Sequence, residues 1–205
     1  MKVEKANVGA VIVDSLPFSQ SGTLAQAQAL RAAGADGVAV YLGVASKSVV
    51  AAILGAGLGC FAVTLAGEYS DGAQDEVANL KALGLLVGTH VFLDMEGLAA
   101  YNTDPVKLIG LVNAWADGIR AAGYKPALYV GNPQPLTSQE LWKLRVELYW
   151  KGQGRCVDRF NQLAEPTGGW ALSQMWPSHT RGGVWVDSNM AGQDYKGRSV
   201  SWVVA

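Results

Sequence analysis

The sequence predicts an α/β protein whose strands close into a TIM-like β/α barrel, regular for about five β/α units and then irregular. Short apolar runs alternate with Ala- and Leu-rich segments, which is typical of parallel strands joined by right-handed helical crossovers. Near the C-terminus, the strand-like runs 171–176 and 184–187 are separated by a segment too short for a crossover helix. We therefore expect the final strands to pair antiparallel.

The first half of the chain alternates four strands with three helices. The predicted strands are 8–14, 37–43, 60–68 and the apolar run 91–93, and the predicted helices are 23–33, 46–54 and 71–83. Polar residues that can cap a helix precede each helical segment, and a glycine follows each one. Asp71 and Gln74 have the spacing of a capping box for the third helix.

The second half begins with the best-defined helix. Asp104 and Pro105 are a typical helix start, and apolar side chains then recur at helical spacing: Leu108, Leu111, Val112, Trp115 and Ile119. Gly123 ends this helix, and the run 126–131 is the fifth strand. Thr137 and Glu140 form a second capping-box pattern before a short helix, and 147–151 is the sixth strand.

An open doubly wound sheet is the alternative architecture. It requires a glycine-rich phosphate-binding loop after the first strand, and the residues that follow Asp14 are Ser, Leu, Pro and Phe. The barrel is therefore the preferred prediction.

Composition limits the class of protein. With 205 residues the chain is predicted to be a single domain, 1–205, and with 50% hydrophobic and 16% charged residues it is globular. The formal net charge of −1 argues against bulk nucleic-acid binding. We expect Cys60 and Cys156 to be reduced core residues, with a disulfide as the less favoured option. No signal peptide or transmembrane segment is evident, so we expect a chain that is made in the cytoplasm and not inserted in a membrane.

Two acids, Asp94 and Glu96, follow the fourth strand. Side chains two residues apart on a strand point to the same face, so both carboxyls are expected at the mouth of that strand. Burying charge there costs several kcal/mol unless it is paired or used. Two nearby carboxyls with unequal pKa values can cleave a glycosidic bond, because one can act as a general acid while the other is ionised.

The ends of the other strands supply more acids and aromatic residues. In a β/α barrel the active site lies at the C-terminal ends of the strands. The residues predicted to converge there are Asp14, Tyr41, Glu68, Asp94, Glu96, Tyr129, Trp150, Gln174, Trp176 and Asp187. Aromatic rings beside carboxylates suit sugars, whose C–H faces stack on rings while their hydroxyls bond to acids. The sequence contains 2 histidines, which gives little support to a histidine metal cluster or a Ser-His-Asp triad.

Each of these residues also has a purely structural interpretation. An acid at a strand end can pair with a buried Lys or Arg, or can cap the next loop. The aromatic residues fit the core as well as a cleft. His90 is expected to be structural because it begins its strand, and His179 is expected in the loop after Trp176.

Several short motifs resemble the family-25 glycoside hydrolases. They are a first strand ending in Asp14, a fourth ending in Asp94-x-Glu96, and a late segment 186–192 with the sequence VDSNMAG. The segments 36–43 (DGVAVYLG) and 66–69 (AGEY) resemble more closely the related glycoside-hydrolase-like domain of bacterial and phage proteins. The resemblance covers nearly the whole chain.

The resemblance implies a lysozyme-like muramidase. Glu96 matches the general acid, and we expect burial and the nearby acids to raise its pKa. Asp94 matches the neighbouring carboxylate that assists in the transition state and is expected to stay ionised, and Asp14 and Asp187 match two further acids at the rim. Tyr41, Tyr129, Trp150 and Trp176 would line the cleft, together with Glu68 and Gln174. The implied substrate is the glycan strand of bacterial peptidoglycan, and no cofactor or metal is needed. A chain of this type resembles a phage lysis or tail enzyme, which acts on the cell wall after release or within a phage particle beside its structural proteins.

Two other functions remain open at this stage. The barrel could be a non-catalytic glycan-binding or structural module of a phage particle, although a pure binder has no use for a buried acid pair. It could also be a metal-dependent hydrolase with carboxylate ligands.

Overall fold

The computed structural model describes residues 1–64, 71–96, 104–132 and 134–205, without the side chains of Asp71 and Trp176. The strands are β1 Lys2–Lys5, β2 Val11–Asp14, β3 Gly37–Tyr41, β4 Gly59–Val63, β5 His90–Asp94, β6 Lys125–Tyr129, β7 Leu148–Lys151, β8 Leu172–Arg181, β9 Val184–Ala191 and β10 Ser201–Val204. The helices are α1 Leu16–Ser21, α2 Leu24–Ala32, α3 Lys47–Gly55, α4 Gln74–Leu83, α5 Pro105–Ala121 and α6 Ser138–Leu141, with a 3-10 turn at Asp71–Ala73.

Strands β2 to β9 close into a barrel. Every pairing from β2 to β8 is parallel, and β4 and β5 pair side by side in the same way. Strand β9 is antiparallel to both of its neighbours, β8 and β2, and so completes the ring. The prediction of a TIM-like α/β barrel with an antiparallel final part is confirmed.

Strand alternation divides the hydrophobic core into two layers. One layer lies outside the barrel, where residues such as Val13, Val40 and Leu93 pack against the helices. The other fills the barrel interior, where the aromatic rings of Phe61, Phe92 and Trp150 are the largest groups. The barrel interior below the C-terminal ends of the strands is therefore filled with side chains.

The opposite, N-terminal end of the barrel is covered by two strands that the sequence analysis did not predict. Strand β10 pairs antiparallel with β1 and, through Val203, with Cys60 of β4. Trp202 of β10 is almost completely buried beneath the barrel. His90 lies here as expected: its Nδ1 accepts a hydrogen bond of 2.7 Å from the backbone N–H of Ser201. Burial lowers the pKa of His90 to about 3, so its ring is neutral.

Trp202 fits only because two neighbouring strands begin with glycine. A Cβ atom added to Gly37 would lie 2.7 Å from Cε3 of Trp202, and Gly59 has the same restriction. We expect Gly37→Ala to lower the free energy of unfolding by about 1–3 kcal/mol, because the indole must move out of a close-packed site. Chemical denaturation measures this change.

The matched control is Gly110→Ala in the exposed part of α5, where an added Cβ meets no atom within 4 Å. Helix propensity predicts a gain of about 0.5–1 kcal/mol at that position. Equal effects of the two substitutions would contradict the role of Gly37.

One helix was missed, and two local predictions are wrong. Helix α1 was not predicted; Ser15 caps it, accepting from the N–H of Phe18, and Pro17 lies in its first turn. His179 does not lie in a loop, because β8 and β9 form a hairpin that extends to Arg181. Helix α4 begins at Gln74 after the 3-10 turn, with Ala73 in the N-cap position, and the side chain of the predicted cap Asp71 lies outside the described residues. The predicted strand segment 65–68 and Ser70 lie outside the described residues.

The remaining sequence expectations concern cysteines and membranes. Cys60 and Cys156 are free and buried, as predicted. In the described ranges, no helix combines the length and the apolar character needed to cross a bilayer.

Candidate active site

The predicted rim residues meet in a narrow cleft of about 100 Å³ at the C-terminal end of the barrel. It is lined by Asp14, Tyr41, Val63, Asp94, Glu96, Tyr129, Trp150, Gln174 and Asp187. The four predicted catalytic acids are all present in this cleft. Of the predicted substrate-binding residues, Glu68 lies outside the described residues, as does the side chain of Trp176.

Strand alternation explains why these side chains converge. Ile12, Phe92 and Leu148 belong to the layer that fills the barrel. Two positions later on the same strands stand Asp14, Asp94 and Trp150, which therefore point to the same interior one layer higher. The cleft is thus the top layer of the barrel interior, where the packed core gives way to polar side chains.

Asp94 and Glu96 reach the cleft in different ways. Strand β5 ends at Asp94, and the chain becomes helical at Met95 and Glu96, so strand alternation does not position Glu96. Its backbone N–H instead donates a 2.9 Å hydrogen bond to Oδ1 of Asp94. Asp94 is itself held at the backbone by Thr64, whose hydroxyl oxygen accepts a 2.8 Å hydrogen bond from the Asp94 N–H.

Asp94 is the buried member of the pair. Burial raises the pKa of Asp94 to about 7, against an opposing hydrogen bond from the Glu96 N–H, and the nearby carboxylates of Glu96 and Asp14 add to the rise. The side chain of Asp94 therefore keeps its proton up to about neutral pH. The Glu96 side chain is exposed at the mouth of the cleft.

The burial of the two acids is the reverse of what was expected, and the raised pKa belongs to Asp94. The sequence analysis assigns the buried, raised-pKa role to Glu96 and expects Asp94 to stay ionised. The structure gives burial to Asp94, because it is the last residue of a strand inside the barrel, and exposure to Glu96, because the chain leaves the barrel there.

Asp14 is held by hydrogen bonds to both carboxylate oxygens. Asn189 donates to its Oδ1 at 2.8 Å and the Tyr41 hydroxyl donates to its Oδ2 at 2.8 Å. Burial nevertheless outweighs these bonds and raises the pKa of Asp14 to about 6. Tyr41 is in turn anchored, since its backbone N–H donates to the hydroxyl of Ser19 in α1. Asp14 is therefore a rigidly oriented acceptor.

The aromatic residues form the floor and one wall. Trp150 is buried, donates its indole N–H to Asn189 and packs edge-on against Tyr129 with ring centroids 4.8 Å apart. The Tyr129 hydroxyl donates to the side-chain oxygen of Gln174 at 3.0 Å. These predicted substrate-binding residues are thus linked to each other, and Trp150 supports the cleft from below.

Asp187 has an unusual environment. Its backbone pairs with Asp14 across β2 and β9, and its side chain lines the same cleft. Its Oδ1 atom is buried and, among the described residues, has no hydrogen-bond partner. An unsatisfied buried acceptor is costly, so this oxygen is suited to a donor supplied by a ligand or water.

Gly131 makes room for Glu96. An added Cβ on Gly131 would lie 2.6 Å from the Glu96 Oε1 atom, and the Gly131 φ of +71° favours glycine. We expect Gly131→Ala to displace this carboxyl. The expected result is a kcat/KM about 10- to 100-fold lower for glycan cleavage, the reaction that the resemblance implies.

Gly154→Ala is the matched control, because Gly154 has a similar φ of +78° and its added Cβ would come no closer than 3.8 Å to Asn132. Both substitutions carry a backbone cost of about 1–2 kcal/mol, but only the first disturbs a carboxyl. An equal loss of activity in both variants would show that Gly131 acts on stability alone.

Two residues that are not among the predicted site residues organise the acids. Asn189 bridges Trp150, Asp14 and the carbonyl of Ile12, and Thr64 fixes Asp94. Asn189 stands two residues after Asp187 in β9, so strand alternation places it on the interior face. Thr64 follows β4 and offers no comparable pattern.

In the described part of the chain, no three His, Cys, Asp or Glu residues form a group that could hold a metal ion. The acids are instead held by Asn, Tyr and backbone donors.

Comparisons with known proteins found similarity in three-dimensional structure and not in sequence families. No protein-family model matches this chain, and no curated protein sequence matches it. The chain is similar to an uncharacterized B. stearothermophilus protein of known crystal structure, with a TM-score of 0.63 and 18% identity over 89% of this chain and 96% of the other. A xylose isomerase-like TIM barrel/4-hydroxyphenylpyruvate dioxygenase fusion protein aligns with a TM-score of 0.47 and 15% identity, over 72% of this chain and 27% of its own. The first of these likenesses concerns the fold alone.

Proposed function

We propose that this chain is a glycoside hydrolase that cleaves the glycan strand of bacterial peptidoglycan. The observation that carries the proposal is the acid pair. Asp94 is buried with a raised pKa, Glu96 is exposed beside it, and the Glu96 N–H bonds to Asp94. Two carboxyls in contrasting environments are the arrangement that glycosidic bond cleavage needs.

In this proposal Glu96 is the general acid, because its carboxyl is the one at the open mouth, where a glycosidic oxygen can reach it. Asp94 lies beneath and assists. The raised pKa of Asp94 keeps a proton on that carboxyl up to about pH 7. The pair can therefore supply a proton to the leaving oxygen and then offer a carboxylate to the positive charge that develops on the sugar.

Asp14 and Asp187 complete the polar surface. Asp14 is fixed by Asn189 and Tyr41, and so presents its charge without having to reorganise. The side chain of Asp187 lines the same cleft, where a carboxylate can accept a hydrogen bond from a sugar hydroxyl. Oriented acceptors of this kind hold a sugar in place while the exposed acid acts on its glycosidic bond.

The choice of peptidoglycan rests on the resemblance of the acid motifs to family-25 glycoside hydrolases and to the glycoside-hydrolase-like domain. The same resemblance suggests a phage lysis or tail enzyme, which would meet the cell wall after release or within a phage particle.

The test is the release of reducing ends from purified peptidoglycan, followed by mass analysis of the products. We expect the wild-type chain to release them, and the sugar at the new reducing end would identify the bond that is cut. Binding to peptidoglycan without release, across several pH values and cell-wall sources, would overturn the proposal and favour a glycan-binding or structural module.

A further inference from the structure

A second cavity of about 200 Å³ opens beside the acid cleft. It shares Asp14, Tyr41 and Asp187 with that cleft, so the two cavities adjoin at these side chains. Its other walls come from the start of α1 and from the β8–β9 hairpin, chiefly Pro17, Ser178 and Trp185. This cavity has about twice the volume of the acid cleft, about 200 Å³ against about 100 Å³.

Trp185 stands directly above the acids. It precedes Asp187 by two residues in β9, so its side chain points to the same face as Asp187, roughly 7 Å further along the strand. Trp185 is 60% exposed, which is unusual for tryptophan. An exposed indole next to a polar cleft offers an apolar face and an N–H donor to a ligand.

The hairpin holds Trp185 in a fixed position. The Arg181 side chain donates a 3.0 Å hydrogen bond to the carbonyl of Ala33, just after α2. Gly182 lies so close to α2 that an added Cβ would be 2.9 Å from the Leu30 nitrogen. The hairpin is therefore docked on α2, so the backbone that carries Trp185 needs little ordering when a ligand binds.

We propose that Trp185 and Pro17 form a second sugar subsite, so that the site binds two consecutive sugars of a glycan strand. The inference rests on the proposed function. It adds the surface on which the sugar next to the one in the acid cleft would bind. The C–H face of this ring stacks on the indole, while its polar groups face Ser178 and Asp187. A carbohydrate fits this cavity because one wall is aromatic and the shared wall carries carboxylates.

The experiment measures binding and hydrolysis with peptide-free glycan oligosaccharides of alternating amino sugars. Binding is measured by calorimetry on the Glu96→Gln background, with and without Trp185→Ala, and hydrolysis is measured on chains that retain Glu96. We expect Trp185→Ala to raise the Kd and the KM about tenfold or more and to leave kcat nearly unchanged. Trp185→Phe should keep most of the affinity.

The matched control is Trp142→Ala, because Trp142 is 52% exposed and lines neither cavity. If the wild type hydrolyses the glycan and Trp185→Ala binds as tightly as the wild type, the subsite is wrong and the glycosidase proposal stands. If the glycan binds through Trp185 and is never cleaved, the subsite stands and the glycosidase proposal is wrong. Absence of both binding and cleavage overturns both, and leaves Trp185 as a contact for another class of partner.

Discussion

Replacing Glu96 with glutamine is expected to lower kcat on peptidoglycan by about 10²–10⁴-fold, the contribution of a positioned general acid. The amide cannot donate a proton to the leaving oxygen in the way that a carboxylic acid can. The fold should persist because the Glu96 side chain is exposed, and because its bond to Asp94 is made by the backbone N–H, which the substitution keeps. Reducing-end release and thermal unfolding of the same preparation measure both effects.

Glu165→Gln is the matched control for this experiment. Glu165 is exposed and lies outside the acid cleft, so the same chemical change there should leave kcat unaltered. Full activity in Glu96→Gln would remove Glu96 from the mechanism. The proton donor would then have to be sought at Asp94, the buried carboxyl of the pair.

The second large effect is on stability, with Asp94→Asn expected to stabilise the fold at pH 8 by about 2–4 kcal/mol. The pKa of Asp94 is about 7 in the folded chain, against an ordinary value of 3.8. Each unit of such a difference corresponds to about 1.36 kcal/mol. Because the folded state binds the proton more tightly than the unfolded state, the wild type loses stability as pH rises from about 4 to about 7.

The asparagine variant lacks this titration and can keep the acceptor for the Glu96 N–H. Its advantage should therefore be absent near pH 4, grow through the acidic range and level off above pH 7. Urea denaturation at pH 4, 6 and 8 measures the difference, in which the other titrating groups largely cancel. A difference that does not change with pH would contradict the burial argument for Asp94.

Asp104→Asn provides the comparison at an exposed site. Asp104 caps α5 by accepting from the Val106 N–H, and asparagine is an equally good cap. We expect less than about 0.5 kcal/mol of change there. A gain at Asp94 together with loss of activity would mean that the buried acid is retained for function at the expense of stability.

Local patterns were sufficient for the barrel and for most of the cleft. Apolar runs marked the barrel strands, and polar residues and glycines marked the helix boundaries. The expectation that Asp14 and Asp94 converge followed from their positions at the ends of parallel strands, which share one C-terminal rim. Asp187 reaches the same rim for a different reason, because it lies within antiparallel β9 and pairs with Asp14. The short spacing between the last two strands also predicted the antiparallel closure, since it leaves no room for a crossover helix.

Long-range contacts decided the rest. Trp202 depends on Gly37 and Gly59, which are far away in sequence, and no local pattern connects them. The hairpin carries Trp185 above the acids only because its tip docks on α2. Such contacts depend on how distant segments pack, which residue spacing does not encode.

For Asp94 and Glu96, too, local sequence determined one property and the tertiary structure another. The sequence by itself determined that two carboxyls stand at the end of β5, because the apolar run before them had to be a buried strand. Which carboxyl is buried was decided only in three dimensions, where the strand stops at Asp94 and the backbone is helical at Glu96, whose side chain is exposed. The pKa of a carboxyl depends on its desolvation and on its neighbours from other strands, and the folded barrel alone sets both.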